Sequence, residues 1–174
     1  GSKLVAAQDA ADSNGNLNRF YIYDASPTSI TLDKFYESPV NLWGITLTNT
    51  TMYAIEDNSS NLDVFNDFFN QTASSTLVPD LTVSIENMVR THGLTYDAEN
   101  DLMILTDVGD GGNATDGALV VIKDFTTVSG DGMVSASEQI RVFGASSNLG
   151  NPVDVALDKV NNRIYVAERA NGGG

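Results

Sequence analysis

The chain has 174 residues, 41% of them hydrophobic, and a mean hydropathy of −0.12, which suits one folded domain and argues against disorder. It carries 9 basic and 23 acidic residues, a net charge of −14, so nucleic acid and anionic membrane surfaces are poor partners, and we expect no nucleic-acid binding. No apolar run is long enough for membrane insertion. Cysteine is absent and His92 is the only histidine, which excludes disulfides, thiolate catalysis and metal sites rich in histidine or cysteine.

Short runs of β-branched and aromatic residues predict strands along the whole chain. In chain order they cover residues 4–7, 20–23, 30–32, 45–47, 52–55, 62–65, 81–85, 94–96, 102–105, 118–122, 140–143, 153–157 and 164–167. Turns rich in Asp, Asn, Gly and Ser separate them, and Asp outnumbers Glu by 17 to 6, which is typical of such turns rather than of helix surfaces. The pattern predicts an all-β sandwich, barrel or propeller.

An internal repeat favours the propeller among these three architectures. Three stretches superimpose, and a fourth matches their second half: 43–56, 92–107, 153–168 and 4–8. With Gly44, Gly93 and Asp154 taken as equivalent, the periods are 49 (93 − 44) and 61 (154 − 93) residues. Four antiparallel strands in a unit of about 40–60 residues are typical of a β-propeller blade.

The phase of the repeat divides the chain into units. We expect a single β-propeller domain or propeller fragment over residues 1–174, with a tag scar at 1–2, a partial blade at 3–37, blades at 42–86 and 91–143, and a partial blade at 151–174. That is about three blades' worth of strands, fewer than the four to eight blades of closed rings. We therefore expect part of a larger propeller or a homodimer that closes the ring, with a small ring closed by one chain as the alternative.

The last repeat reads Asn-Pro-Val-Asp-Val-Ala-Leu-Asp over residues 151–158, followed by a short turn and the strand Ile-Tyr-Val-Ala-Glu at 164–168. This run resembles an NHL-type propeller repeat of bacterial proteins. Residues 92–107 and 43–56 fit the pattern less fully, and Asp154 stands where such repeats usually have glycine. The resemblance covers nearly the whole chain and implies the propeller fold. It implies no single function, because such propellers include binding modules, surface proteins and enzymes.

In a propeller, the first strands begin and the second strands end on the same face of the disc, which is the usual ligand face. We expect the ligand-binding residues of that face to be Gln8, Trp43, Glu56, His92, Asp107, Glu168 and Arg169. Its carboxylates would suit Ca²⁺ or a cationic ligand, and a solvated rim is the alternative. Trp43 and His92 hold equivalent positions. They are expected either to form the floor of a central pocket, with His92 as a base, or to pack a blade interface.

The loop over residues 107–117 is the best candidate for a metal site. The expected ligands are Asp107, Asp110, Asn113 and Asp116, whose oxygens alternate with glycines and would let the backbone wrap around a calcium ion. The loop lacks the spacing and the bidentate Glu of an EF-hand, so a flexible hairpin loop is the alternative.

Two function classes remain. The favoured one is a non-catalytic propeller that binds a protein or small-molecule ligand through its acidic loop face. Abundant Asn, Asp, Ser and Thr with few Lys fit an exported protein, located extracellularly, in the periplasm or on the cell surface. The alternative is a metal-dependent hydrolase resembling the lactonase-type propellers, in which Glu56, Asp107 and Glu168 would supply carboxylates to one divalent ion.

Overall fold

Our computed structural model describes residues 2–170 of the chain. The protein is all-β, with 51% of its residues in strands and 9% in helices. Every predicted strand lies within an observed one, which confirms the all-β class. Gly1 of the expected tag scar and residues 171–174 of the last expected partial blade lie outside the described residues.

The strands form four successive sheets, which we call sheets A to D. Sheet A contains β1 (Ser2–Gln8), β2 (Asn18–Ser26) and β3 (Ser29–Ser38). Sheet B contains β4 (Leu42–Leu47), β5 (Met52–Glu56), β6 (Asn61–Phe65) and β7 (Leu81–Ile85). Sheet C contains β8 (Thr91–Asp97), β9 (Leu102–Asp107), β10 (Ala118–Lys123) and β12 (Gln139–Phe143), and sheet D contains β13 (Pro152–Asp158) and β14 (Arg163–Glu168).

The segment between β10 and β12 contains two elements that the sequence pattern did not predict. A short helix, α1 (Phe125–Val128), is followed by β11 (Met133–Val134), which pairs in parallel with β7 and adds a fifth strand to sheet B. All other strand pairs among the described residues are antiparallel. Sheets B and C are therefore joined by backbone pairing as well as by side-chain packing.

Apolar side chains fill the spaces between successive sheets. Between sheets A and B, the Phe20 ring makes edge-to-face contacts with Phe65 and Phe68, both at 5.3 Å between ring centroids. Alternate residues of β9 point to opposite faces, so Leu105 packs toward sheet B while Ile104 packs toward sheet D. Burial of a Leu, Ile or Phe side chain stabilises the fold by about 1.5–3 kcal/mol.

Sheets B, C and D share one backbone geometry at their inner strands, which we define as β4, β8 and β13. The pairing of each inner strand with the next strand of its sheet shifts register near its start: between Leu42 and Ile45, between Thr91 and Leu94, and between Pro152 and Asp154. In each of these sheets, the residue that follows the second strand (β5, β9 or β14) donates its backbone N–H to the carbonyl of the residue that precedes the inner strand. The pairs are Asp57 to Asn41 (3.1 Å), Val108 to Arg90 (2.8 Å) and Arg169 to Asn151 (3.1 Å). The three sheets thus present the same turn geometry at one end.

Glycines allow the inner strands to approach one another. A Cβ atom on Gly44 would lie 2.5 Å from the carbonyl oxygen of His92, and one on Gly93 would lie 2.4 Å from the Cα of Asp154. Any side chain at either position would force neighbouring sheets apart.

The four sheets form an open series within residues 2–170, without a closed ring. The blade count, the blade boundaries and the ring-closing homodimer therefore stay predictions. No helix in the described part of the chain is long and apolar enough to span a bilayer.

Candidate ligand-binding site

Trp43 and His92 stack on each other where sheets B and C meet. Their ring centroids are 4.9 Å apart and their planes differ by 24°. Both residues lie in the bulges at the starts of β4 and β8, and bulges redirect side chains out of the regular strand alternation. Trp43 is 47% exposed, whereas His92 is half-buried. We call this stacked pair the Trp43–His92 platform.

Charged residues that flank strands of three sheets interact electrostatically with His92 of the platform. Asp57 follows β5 in sheet B, Arg90 precedes β8 in sheet C, and Arg169 follows β14 in sheet D. The Arg90 Nη2 atom lies 3.6 Å from Asp57 Oδ1, a long ion pair between a 36% exposed and a 10% exposed side chain. The platform thus lies beside a mixed array of charges rather than a purely acidic surface.

Buried polar atoms of the platform and of the residues before the inner strands β8 and β13 have unused hydrogen-bonding capacity. Within residues 2–170, His92 Nε2, Arg90 Nε and Asn151 Oδ1 are buried without a hydrogen-bond partner. Asn151 is 5% exposed, and its Nδ2 atom donates to the Gly111 carbonyl at 3.3 Å. A buried polar group without a partner costs about 1–3 kcal/mol, so a ligand or water that satisfied these atoms would be stabilised.

His92 is held in its neutral form at pH 7. Burial lowers the pKa of its imidazole below the ordinary value of 6.5, the positive charges of Arg90 and Arg169 lower it further, and the charge of Asp57 opposes them. A neutral imidazole keeps one nitrogen as an acceptor and the other as a donor, which suits recognition of a hydroxyl or carboxyl group.

We expect the emission of Trp43 to report the protonation of His92. Trp43 is the only tryptophan, so its fluorescence comes from the platform alone. The His92 imidazole takes up a proton near pH 6.5 in the unfolded chain. In the folded chain it does so only at lower pH, because its pKa is lowered there. Emission should stay constant above pH 6.5 and change as the pH falls through the folded pKa. The free energy of unfolding should begin to fall as the pH drops below about 6.5, where the unfolded chain takes up the proton, and should level off below the folded pKa.

His92→Phe is the control for this titration, because it keeps an aromatic ring beside Trp43 and removes the titrating group. The pH-dependent change in emission should be absent from this variant. Identical pH profiles for the wild type and His92→Phe would contradict the assignment.

The carboxylate of Asp107 is fully buried and occupied by protein groups. It accepts hydrogen bonds from the backbone N–H groups of Val89 (3.2 Å), Arg90 (3.0 Å) and Gly109 (3.1 Å). It also forms an ion pair with the guanidinium of Arg141. Asp107 therefore joins the segment that enters β8 to the turn that follows β9.

Glu168 repeats this arrangement in sheet D. Its carboxylate accepts the backbone N–H groups of Gly150 (3.0 Å), Asn151 (2.8 Å) and Ala170 (2.7 Å). As with Asp107, two of these N–H groups belong to the two residues before the inner strand, and the third belongs to the second residue after the carboxylate. We call Asp107 and Glu168 the carboxylate braces, because each holds a turn at the end of its sheet.

The other two expected residues of the face bond within their own sheets. The Asn61 Nδ2 atom donates to Glu56 Oε2 at 2.8 Å, and Gln8 donates to the Leu17 carbonyl at 3.3 Å. The structure thus brings Trp43 and His92 into contact, and the positive charge of Arg169 contributes to the lowered pKa of His92. Glu56 and Gln8 have local partners and join no shared cluster.

The carboxyl and amide groups of the 107–117 loop mainly bond the loop's own backbone. Asp110 accepts from the Gly112 N–H (3.1 Å), Asp116 from the Asp110 N–H (2.9 Å) and Asn113 from the Thr115 N–H (3.1 Å). Within residues 2–170, no three or more His, Cys, Asp or Glu side chains are grouped to hold a metal ion. Asp107, Asp110 and Asp116 therefore do not form such a group, and calcium binding stays a prediction.

Arg90 and Asn151 are not among the site residues expected from the sequence. Both stand immediately before an inner strand, at the position that Asn41 occupies in sheet B. Extending the repeat by two residues toward the N-terminus would have aligned them.

A scan of the chain against models of protein families finds no match, and a search of curated proteins finds no similar sequence. The resemblance to NHL-type repeats therefore stays a prediction from the residues.

Proposed function

We propose that this chain is a non-catalytic binding module whose ligand lies on the Trp43–His92 platform. The observation that carries the proposal is the half-exposed indole, stacked on a neutral imidazole beside buried polar atoms that lack partners. A rigid aromatic surface with a few hydrogen-bonding groups around it is typical of ligand sites.

We also propose that sheets A to D are blades of a β-propeller with NHL-like repeats. The shared register shift, the shared turn hydrogen bond and the close glycine contacts support equivalent positions in sheets B, C and D. The platform then lies on the face where inner strands begin. The ring would be completed by further blades or by a second copy, and the composition supports an exported or cell-surface protein.

Binding is favoured over the hydrolase alternative by the occupancy of the carboxylates. The oxygens of Asp107 and Glu168 accept backbone N–H groups, and Glu56 accepts from Asn61. A metal-dependent hydrolase would need these groups turned toward one ion.

A panel of compounds tests the proposal by thermal shift. Neutral and acidic saccharides, aromatic acids, amino acids and short peptides are compared on the wild type and on Trp43→Ala. At least one compound should raise the Tm of the wild type, and Trp43→Ala should weaken its binding at least 30-fold, because central aromatic contacts contribute about 2 kcal/mol or more.

Tyr165→Ala is the matched control, since Tyr165 is a 52% exposed aromatic residue of sheet D. It should retain the full shift. A panel with no stabilising compound, or shifts that persist in Trp43→Ala, would contradict the proposed function.

A further inference from the structure

One ionisable side chain lies in the apolar layer between sheets A and B. Asp63 is the middle residue of β6 and is fully buried. Alternate residues of a strand face the same side, so Asp63 faces the side of Phe65, which belongs to the apolar cluster between these sheets. Ala54, its neighbour on β5, belongs to the same cluster. An acidic group therefore stands where sheets A and B close on each other.

The carboxyl group of Asp63 has a hydrogen-bond partner for only one of its oxygens. The Thr82 hydroxyl lies 2.6 Å from Oδ1, whereas Oδ2 is buried without a partner within residues 2–170. Removing a carboxylate from water without donors for both oxygens disfavours its charged form. A neutral carboxyl group can donate its proton to the Thr82 oxygen and leaves only an uncharged carbonyl oxygen unpaired.

No basic group within residues 2–170 forms an ion pair with Asp63. Burial is the main cause that raises the pKa of Asp63, the Thr82 hydrogen bond opposes it, and the negative charge of Glu56 at the end of β5 raises the pKa further. β4 and β7 carry no charged residue. The ionisable groups of sheet A have other partners: Lys34 donates to the Phe69 carbonyl, Tyr36 donates to the Gln71 carbonyl, Lys3 pairs with Asp24 and Asp33, and Arg19 pairs with Glu37.

We infer that the Asp63 carboxyl group is a proton-dependent lock between sheets A and B: it is neutral while the sheets are closed on each other, and its ionisation loosens their contact. The proton passes from the carboxyl group to water. The carboxylate that remains requires hydrogen-bond donors for both oxygens, and water can supply them only if the sheets separate. This device is independent of the Trp43–His92 platform, which lies where sheets B and C meet.

Urea unfolding of the wild type and of Asp63→Asn, between about pH 4 and about pH 8, tests the lock. The unfolded chain releases the Asp63 proton near the ordinary pKa of 3.8, and the folded chain releases it at higher pH because the pKa is raised there. The folding equilibrium constant of the wild type, relative to that of Asp63→Asn, should therefore fall about tenfold per pH unit up to the folded pKa and stay constant above it. We expect a total change of about tenfold or more. His92 is present in both proteins, so its titration cancels from this ratio.

Asp67→Asn is the matched control for this comparison. Asp67 is exposed and lies two residues beyond the end of β6, and its substitution changes the net charge equally. Its stability should follow the pH profile of the wild type. Parallel profiles for the wild type and Asp63→Asn would overturn the inference, and so would equal effects of the two substitutions.

Two further measurements follow the proton and the loosening separately. In carbon-13 NMR of the wild type, the Asp63 Cγ signal should titrate above pH 3.8, and titration at or below this value would overturn the inference. Hydrogen exchange of the wild type and Asp63→Asn is then compared at about pH 8. Amides of β2 and β5 should exchange faster in the wild type, whereas those of β13, which open locally at the edge of the series, should exchange equally fast in both. Equal exchange of β2 and β5 in the two proteins, or an equal change in all three strands, would show that Asp63 does not lock sheets A and B.

Discussion

Asp107→Ala is expected to lower the free energy of unfolding by about 3–5 kcal/mol, because removing one partner of a buried ion pair leaves the other charge uncompensated. Asp107 is fully buried, and its ion-pair partner Arg141 is 19% exposed. The substitution also leaves the N–H groups of Val89, Arg90 and Gly109 without their acceptor. Urea unfolding followed by circular dichroism measures the effect.

Two further variants make this test specific. Asp110→Ala removes an exposed carboxylate three residues along the same loop and should change the free energy of unfolding by about 0.5 kcal/mol or less. Asp107→Ala combined with Arg141→Met should be less destabilised than Asp107→Ala alone, because no buried guanidinium is left unpaired. Equal stability of Asp107→Ala and Asp110→Ala would show that Asp107 is not a brace.

Gly93→Ala is expected to destabilise the protein by about 2–3 kcal/mol through a clash between inner strands. The added Cβ would lie 2.4 Å from the Cα and 2.9 Å from the carbonyl carbon of Asp154. Both are backbone atoms, so β8 and β13 must separate and part of the apolar contact between sheets C and D is lost. The same urea titration measures the change.

Gly112→Ala is the control for the glycine prediction. Its added Cβ would meet only Asp110 Oδ1 at 3.6 Å, an ordinary contact, so its stability should stay within about 0.5 kcal/mol of the wild type. If Gly93→Ala is tolerated as well as Gly112→Ala, the close approach of the inner strands is wrong.

The strands and the equivalent positions of Trp43 and His92 could be predicted from the sequence. β-branched and aromatic runs separated by Asx-rich turns define strands locally, and all of the predicted strands are observed. The repeat placed Trp43 and His92 at equivalent positions of neighbouring units. The stacking of the two rings is seen only in the structure, where the starts of β4 and β8 lie side by side.

The roles of the carboxylates could not be predicted from the sequence. An aspartate at the end of a strand looks like an exposed turn residue, and only the fold shows that the Asp107 side chain turns inward to Arg141 and three N–H groups. β11 has two residues, too few for any periodicity, and its pairing with β7 joins segments about 50 residues apart. Such long-range contacts depend on tertiary packing.

A titration followed by ¹H–¹⁵N NMR tests the platform most directly. Trp43 is the only tryptophan, so the folded protein gives one indole N–H cross-peak. Addition of the panel compound that binds best should shift this peak and the backbone amides of Arg90 and His92, and these shifts should saturate with one common Kd. An indole peak that stays in place at saturation, while amides elsewhere in the chain shift, would show that the ligand does not bind the Trp43–His92 platform.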